Sequence, residues 1–520
     1  MAETSSHPGG THLFRTKTIA EAEALPSESG QPALNRTLGV WQLTALGIGA
    51  IIGAGIFSGA GSAVAGGAHH LGAGPALVIS YILVAVACGF AALCYAEFAS
   101  LIPVSGSAYT YAYASFGELV AWIIGWDLII EYAVGNIAVA VSWSAYFQTL
   151  LEGFGLGLPP WLVTDTRTAL QAWEAVQAGG ADVTATVQAS AAAWTEAPHL
   201  FGIPVIFNLP AVVVVLLITW VLVIGIRESA WANTGMVILK LAILAFFIAI
   251  GATWVRPENW TPFAPNGWAG ISAGAAIIFF AYIGFDAVST AAEEAKNPQR
   301  DLPRAMLWSL LVTSIIYIVV TLVLTGILPW QQHGTADPLA SAFQNRGFDW
   351  AAGIISFGAV VSMASVLLVF QLGQPRIFFS MARDGLLPKW AAKVHPKYRT
   401  PHVTTILTGL FVAFFAAFAN INEVIELTNI GTLFAFVLVA IGVLILRIRE
   451  PERHRPFRAP FIWFVAPAAV VSCTYLMFQL PLVTWIRFGI WLAIGLAIYF
   501  AYGYWHSVEG RRLHPEARHD

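Results

Sequence analysis

Twelve long apolar runs separated by short polar stretches leave this 520-residue chain few ways to fold. They lie at roughly 41–66, 74–98, 119–151, 206–226, 231–254, 269–292, 305–328, 350–380, 402–419, 424–446, 460–481 and 485–505. Each meets or approaches the ~20 residues that cross a bilayer as a helix. Lipid supplies no hydrogen bonds, so the backbone must satisfy itself within each segment, and helices do so. Only 11% of the residues are charged, where a soluble domain carries about 25%. The expected fold class is therefore all-α and integral to the membrane, with twelve transmembrane helices.

Charge sets the orientation. If the amino terminus is cytoplasmic and the spans alternate, 21 of the 26 basic residues fall on inner segments and four on outer ones, with Lys240 alone inside a span. That asymmetry is the positive-inside pattern, so a multi-pass protein of the cell membrane with both termini cytoplasmic is expected. Residues 1–35 are polar and read as a flexible cytoplasmic tail, and 507–520 as a second cytoplasmic tail. The polar stretch 153–203 falls on the outer face, with room for a short amphipathic helix. Cys88, Cys94 and Cys473 lie in spans and read as packing residues.

The first span contains four glycines in nine residues, Gly47, Gly49, Gly53 and Gly55. Each glycine inside a helix costs about 1 kcal/mol relative to alanine, which favours an opening there. Bare backbone at membrane depth is tolerated only where it is buried in protein or lines a cavity. The sixth span has a similar interruption at Gly284, within Phe279–Thr290. The two are offset by five spans, an odd number, so spans one to five and six to ten read as an inverted repeat, whose broken helices mark a site between the halves. The expected units are 36–254 (with outer loop 153–203), 255–447, and a peripheral pair of spans over 448–506.

Such breaks suit a zwitterion. Free N–H groups at Gly53, Ala54 and Gly55 face a carboxylate at a positive helix end. Carbonyls of Ile51, Phe280, Ala281 and Ile283 accept from an ammonium. Phe280 is placed to shield the substrate from outside, and Met363 to line a pocket for small or medium neutral side chains. Lys240 sits nine residues past Trp231, about 13–14 Å into the bilayer. An intramembrane amine is a functional candidate, here for loading and releasing a proton; a permanent charged clamp is the alternative. Asp127 and Glu131, four apart in span three, and Asp286 in span six read as gate or pathway residues.

The ordered motifs Gly49–Phe57, Pro103–Tyr109, Gly125–Tyr132, Gly225–Ala230, Phe279–Thr290, Glu293–Pro303 and Arg383–Pro388 resemble the amino acid–polyamine–organocation (APC) superfamily, in its cationic amino acid transporter branch. The match covers most of 36–460. The resemblance implies a ten-helix inverted-repeat core with two further helices, amino acid transport by alternating access, and proton rather than sodium coupling, with Lys240 in the place sodium fills in sodium-coupled cousins. It points to the same binding positions. One departure stands out: many relatives have Ser or Thr where this chain has Ala54, which leaves carboxylate binding to main-chain N–H groups. An exchanger or uniporter is the alternative carrier. An enzyme is not expected, since no nucleophile–base or metal cluster lies within the spans. The expected partners are an amino acid, protons and lipid, with no cofactor, metal or nucleic acid; a small accessory membrane subunit is compatible with this plan.

Overall fold

The computed structural model describes residues 13–17, 36–67, 70–103, 107–178, 185–225, 230–398 and 400–513. Nine helices among them are long and apolar enough to cross a membrane: α1 (Val40–Ala65), α2 (Gly74–Leu101), α3 (Glu118–Gly153), α5 (Thr234–Trp254), α6 (Gly267–Ala292), α7 (Pro298–Ile327), α8 (Asp349–Arg383), α10 (Ile421–Arg449) and α12 (Leu482–His506). Three shorter apolar helices complete the set: α4 (Leu209–Ile224), α9 (His402–Phe418) and α11 (Ile462–Phe478). The other regular elements among the described residues are short helices and a hairpin pairing His199–Leu200 with Ile203–Pro204.

The most enclosed helices are those whose sequences carry polar or glycine breaks. The apolar windows of α1, α3 and α6 are 89%, 89% and 94% buried, against 22% for α12. Helix α7 packs on α1 and α2, α8 on α3, α4 on α9, and α10 on α11. Small residues set how close these helices come. A Cβ on Gly409 of α9 would lie 2.1 Å from Thr219 Oγ1 of α4, and one on Gly358 of α8 would lie 2.3 Å from Ile243 of α5. Without a hydrophobic driving force in lipid, such close packing is what holds helices together.

Stretch 153–203 folds into two helices, Thr166–Gln177 and Ala185–Glu196, followed by the hairpin. It is fastened to α10 and α12 through Glu423, which pairs with Arg167 and with Arg487 at 3.1 Å. Asp165 caps the first of these helices by accepting from Thr168 N–H at 2.9 Å. All three cysteines are buried thiols.

The tail 1–35 was expected to be flexible, but residues 13–17 are docked. Arg15 and Lys17 are buried because each finds a carboxylate partner, Glu118 and Asp384 respectively. Other parts of that tail fall outside the described residues, as do Val104–Gly106 and Ile226–Ser229 of the sequence motifs.

One buried ion cluster ties α2 to the end of α10. Glu97 accepts from Arg447 at 2.7 Å through both oxygens and from Arg455 at 3.1 Å, and all three side chains are nearly inaccessible. Removing the carboxylate strands two guanidinium groups, so Glu97→Ala is expected to cost about 3–5 kcal/mol. Glu423→Ala, at the exposed pairs, should cost about 1 kcal/mol or less. Thermal unfolding in detergent of the two variants measures the contrast.

Candidate functional site: two broken helices in contact

Helix α1 is regular to Ile51, then leaves the helical path. Ile52 is extended, with φ −75° and ψ 100°, and the chain resumes as a π-helix over Gly55–Gly59 and an α-helix over Ala60–Ala65. Helix α6 is α-helical to Ile278 and 3-10 over Phe279–Tyr282. Ile283 is extended, Gly284 has φ +118°, and a 3-10 stretch runs over Asp286–Glu294. Only glycine adopts that φ at little cost.

The breaks touch. A Cβ on Gly55 would lie 2.2 Å from Ala281 Cα, and one on Gly284 would lie 3.0 Å from the carbonyl of Ala50. Gly53 faces Val366 of α8, where a Cβ would stand 3.0 Å from the valine methyl. The residues expected to bind substrate on α1 and α6 (Ile51, Gly53, Ala54, Gly55, Phe280, Ala281 and Ile283) are all buried at this junction.

Side chains take up part of the exposed backbone. Lys240 Nζ donates to Gly49 O at 2.5 Å and to Ile52 O at 3.2 Å, so α5 holds the opened turn of α1. Tyr317 of α7 donates to Ile51 O at 3.0 Å. The Ile51 carbonyl, expected to serve a substrate ammonium, thus has a resident donor and one lone pair left. On α6, Asn429 of α10 donates to Ala276 O at 2.7 Å and Ile277 O at 3.0 Å. The Phe280 carbonyl accepts from Ile283 N–H at 3.4 Å. Sequence reasoning missed Tyr317 and Asn429; a polar side chain inside an apolar span was the available signal.

Met363 of α8 is fully buried, and Ser142 of α3 donates to its sulfur at 3.0 Å. Ser142 also meets Ser58, which donates to Ala336 O, while Tyr146 donates to Phe57 O. The second half of α1 is therefore held by α3 and by segment 328–338. In that segment Thr149 and Ser341 donate to Asp337, and His333 is buried with Nε2 3.2 Å from Leu328 O.

Asp127, Glu131 and Asp286 lie on the other side of the junction. Asp127 closes a regular stretch of α3 and Glu131 falls in a π-helical turn, Ile130–Val134. The wider turn alters the simple i, i+4 register expected between them. All three carboxylates are buried; neither oxygen of Asp127 has a hydrogen-bond partner among the described residues, while Glu131 and Asp286 lie within hydrogen-bonding reach of each other. Among the described residues no group of three or more His, Cys, Asp or Glu is arranged to hold a metal.

A family model described as amino acid permease matches residues 38–500. The chain is 45% identical over 497 residues to the branched-chain amino acid permease BcaP of Bacillus subtilis (strain 168), covering 95% of this chain and 98% of that one. It is 44% identical over 496 residues to the methylthioribose transporter of the same organism, covering 95% and 99%. Against the vacuolar cationic amino acid transporter 2 of Arabidopsis thaliana it is 35% identical over 463 residues, covering 87% and 67%.

Two outcomes test this geometry. Gly55→Ala forces Ala281 away and should cost about 1–3 kcal/mol. Gly353→Ala, with nothing within 4 Å of its Cβ, should be neutral or gain up to about 1 kcal/mol; paired melting curves decide. Burial also pushes His333 down from 6.5 to about 4. Between those values an opened segment binds a proton that the closed one does not. Its closure is fully stable above about 6.5 and weakens as pH falls through that window. Hydrogen exchange over 328–338 should therefore be faster at pH 5 than at pH 7, and independent of pH, after correction for intrinsic rates, in His333→Gln.

Proposed function

The chain belongs to the amino acid permease family of the APC superfamily, and from that premise we propose that it is a proton-coupled symporter of neutral, branched-chain amino acids. It works by alternating access, with twelve spans arranged as a five-plus-five inverted repeat and two peripheral helices. Units 36–254 and 255–447 form the halves, 448–506 the extra pair. The observation that carries this reading is the contact between the α1 and α6 breaks.

The Gly53, Ala54 and Gly55 N–H groups take the carboxylate, and main-chain carbonyls of Ile51, Phe280, Ala281 and Ile283 take the ammonium. A buried charge must be compensated in this way or it costs many kcal/mol. Main-chain groups read the part common to all amino acids. Met363 and Val366 supply an apolar wall, which favours neutral aliphatic side chains over cationic ones, and Phe280 screens the bound molecule from outside.

Lys240 couples the proton. Protonated, its ammonium clamps the carbonyls of Gly49 and Ile52 and fixes the opened turn; deprotonated, it keeps two N–H donors but loses the charge that strengthens both bonds, so its hold on the turn loosens. Asp127, Glu131 and Asp286 line the path to the cytoplasm, where water reaches their carboxylates in one state and not the other. Both termini are cytoplasmic and the two-helix stretch 153–203 lies outside, in keeping with the distribution of Lys and Arg.

In proteoliposomes, an inward proton gradient should drive leucine, valine or isoleucine accumulation. Lys240→Ala should abolish that accumulation and leave counterflow. Accumulation that survives the substitution removes the coupling role from Lys240, whereas counterflow without proton-driven accumulation in the parent points to an exchanger or uniporter. The relative that carries methylthioribose supplies the second comparison. Uptake of labelled methylthioribose that unlabelled leucine does not block, with no uptake of labelled leucine, would contradict the amino acid reading.

A further inference from the structure

At the end of the bundle that the proposed orientation places in the cytoplasm, residues 13–17 lie across a groove formed by the start of α3, the end of α8 and the residues after α12. Arg15 grips Glu118 through two bonds of 2.7 Å. Its carbonyl accepts from Glu118 N–H at 3.0 Å, and Leu13 O accepts from Leu119 N–H at 3.1 Å. Lys17 pairs with Asp384 and lies 4.7 Å from the centre of the Tyr113 ring. Gly117, with φ +104°, makes room: a Cβ there would stand 2.6 Å from the Phe14 backbone. Gly510 does the same for the Arg15 guanidinium at 2.3 Å.

The carboxylates of the groove keep partners when the segment leaves, and water takes the Glu118 and Leu119 N–H groups. Glu118 also accepts from Tyr113 at 2.8 Å, Tyr499 at 2.9 Å and the Ser507 hydroxyl, and it opens α3, where a helix dipole favours a carboxylate. Asp384 keeps the Tyr109 hydroxyl at 2.6 Å. The 18 residues from 18 to 35 reach up to about 60 Å when extended, so undocking does not require α1 to move. The ends of α3 and α8 meet beside the groove, where a Cβ on Gly125 would lie 2.8 Å from Met381 sulfur. The segment crosses this seam on the near side of Asp127 and Glu131.

We propose that residues 13–17 are a detachable ionic clasp, a basic peptide ligand carried by the chain itself for an acidic, tyrosine-lined groove. Its release frees the ends of α3 and α8 and speeds passage through this face. The docking stands on its own contacts; the effect on rate rests on the transport function proposed above.

The test uses the full chain with a nitroxide on Thr16→Cys, an exposed position. The parent should give an immobilised spectrum. Excess peptide of residues 11–20, or Arg15→Ala with Lys17→Ala, should convert most of it to a mobile one, while a peptide with both basic residues replaced by Ala should not. Leucine counterflow in the double variant should rise about threefold, roughly the effect of a coupling of 0.65 kcal/mol. A mobile parent spectrum overturns the clasp, and so does an immobilised one that neither the peptide nor the substitutions release. A released label with unchanged counterflow overturns its role in transport. A released label on a protein whose parent moves no amino acid strikes the transport reading instead.

Discussion

Every backbone N–H and C=O inside lipid must find a partner within the protein, and the breaks in α1 and α6 are organised around that obligation. Two helices that leave the regular path at membrane depth expose polar main-chain groups, and four side chains answer them. Lys240 takes Gly49 and Ile52, Tyr317 takes Ile51, Asn429 takes Ala276 and Ile277, and Tyr146 takes Phe57. What those side chains leave free is what a zwitterion can use. In the proposed site stability and recognition draw on the same few atoms, so a change in any one of the four donors is expected to alter both.

The glycines make the contact possible in two different ways. Gly284 allows a left-handed backbone turn, whereas Gly55 lacks the carbon that would collide with Ala281. From these two requirements follows the approach of α1 to α6, and from that approach the burial of Ile51 through Gly55. The surrounding helices α7, α8 and α10 then serve as walls that bring Tyr317, Val366 and Asn429 to the opened turns. Segment 328–338 backs the second half of α1 with buried polar contacts, and segment 13–17 lies across the start of α3 and the end of α8.

Much of this was legible in the chain. Glycine spacing located both interruptions, hydropathy located the helices, and the isolation of Lys240 in an apolar run marked it out. What escaped was whatever depends on residues distant in sequence. Nothing near Tyr317 or Asn429 says which carbonyl each will meet, since that is set by helix packing. Arg15 and Lys17 read as ordinary tail charges because their partners, Glu118 and Asp384, lie 103 and 367 residues away. The π-helical turn at Ile130–Val134 likewise has no local signature, and it shifted the register assumed between Asp127 and Glu131.

The central claim is that main-chain groups at the paired breaks hold both charged ends of an amino acid. Affinities of the purified protein for leucine, isopentylamine and 4-methylpentanoate, measured by calorimetry, address it most directly. The two single-charge analogues share leucine's side chain but each leaves one set of main-chain groups unpaired. Both should bind about a hundredfold or more weaker than leucine. Either analogue binding within about tenfold of leucine, a difference of roughly 1.4 kcal/mol, would contradict the claim.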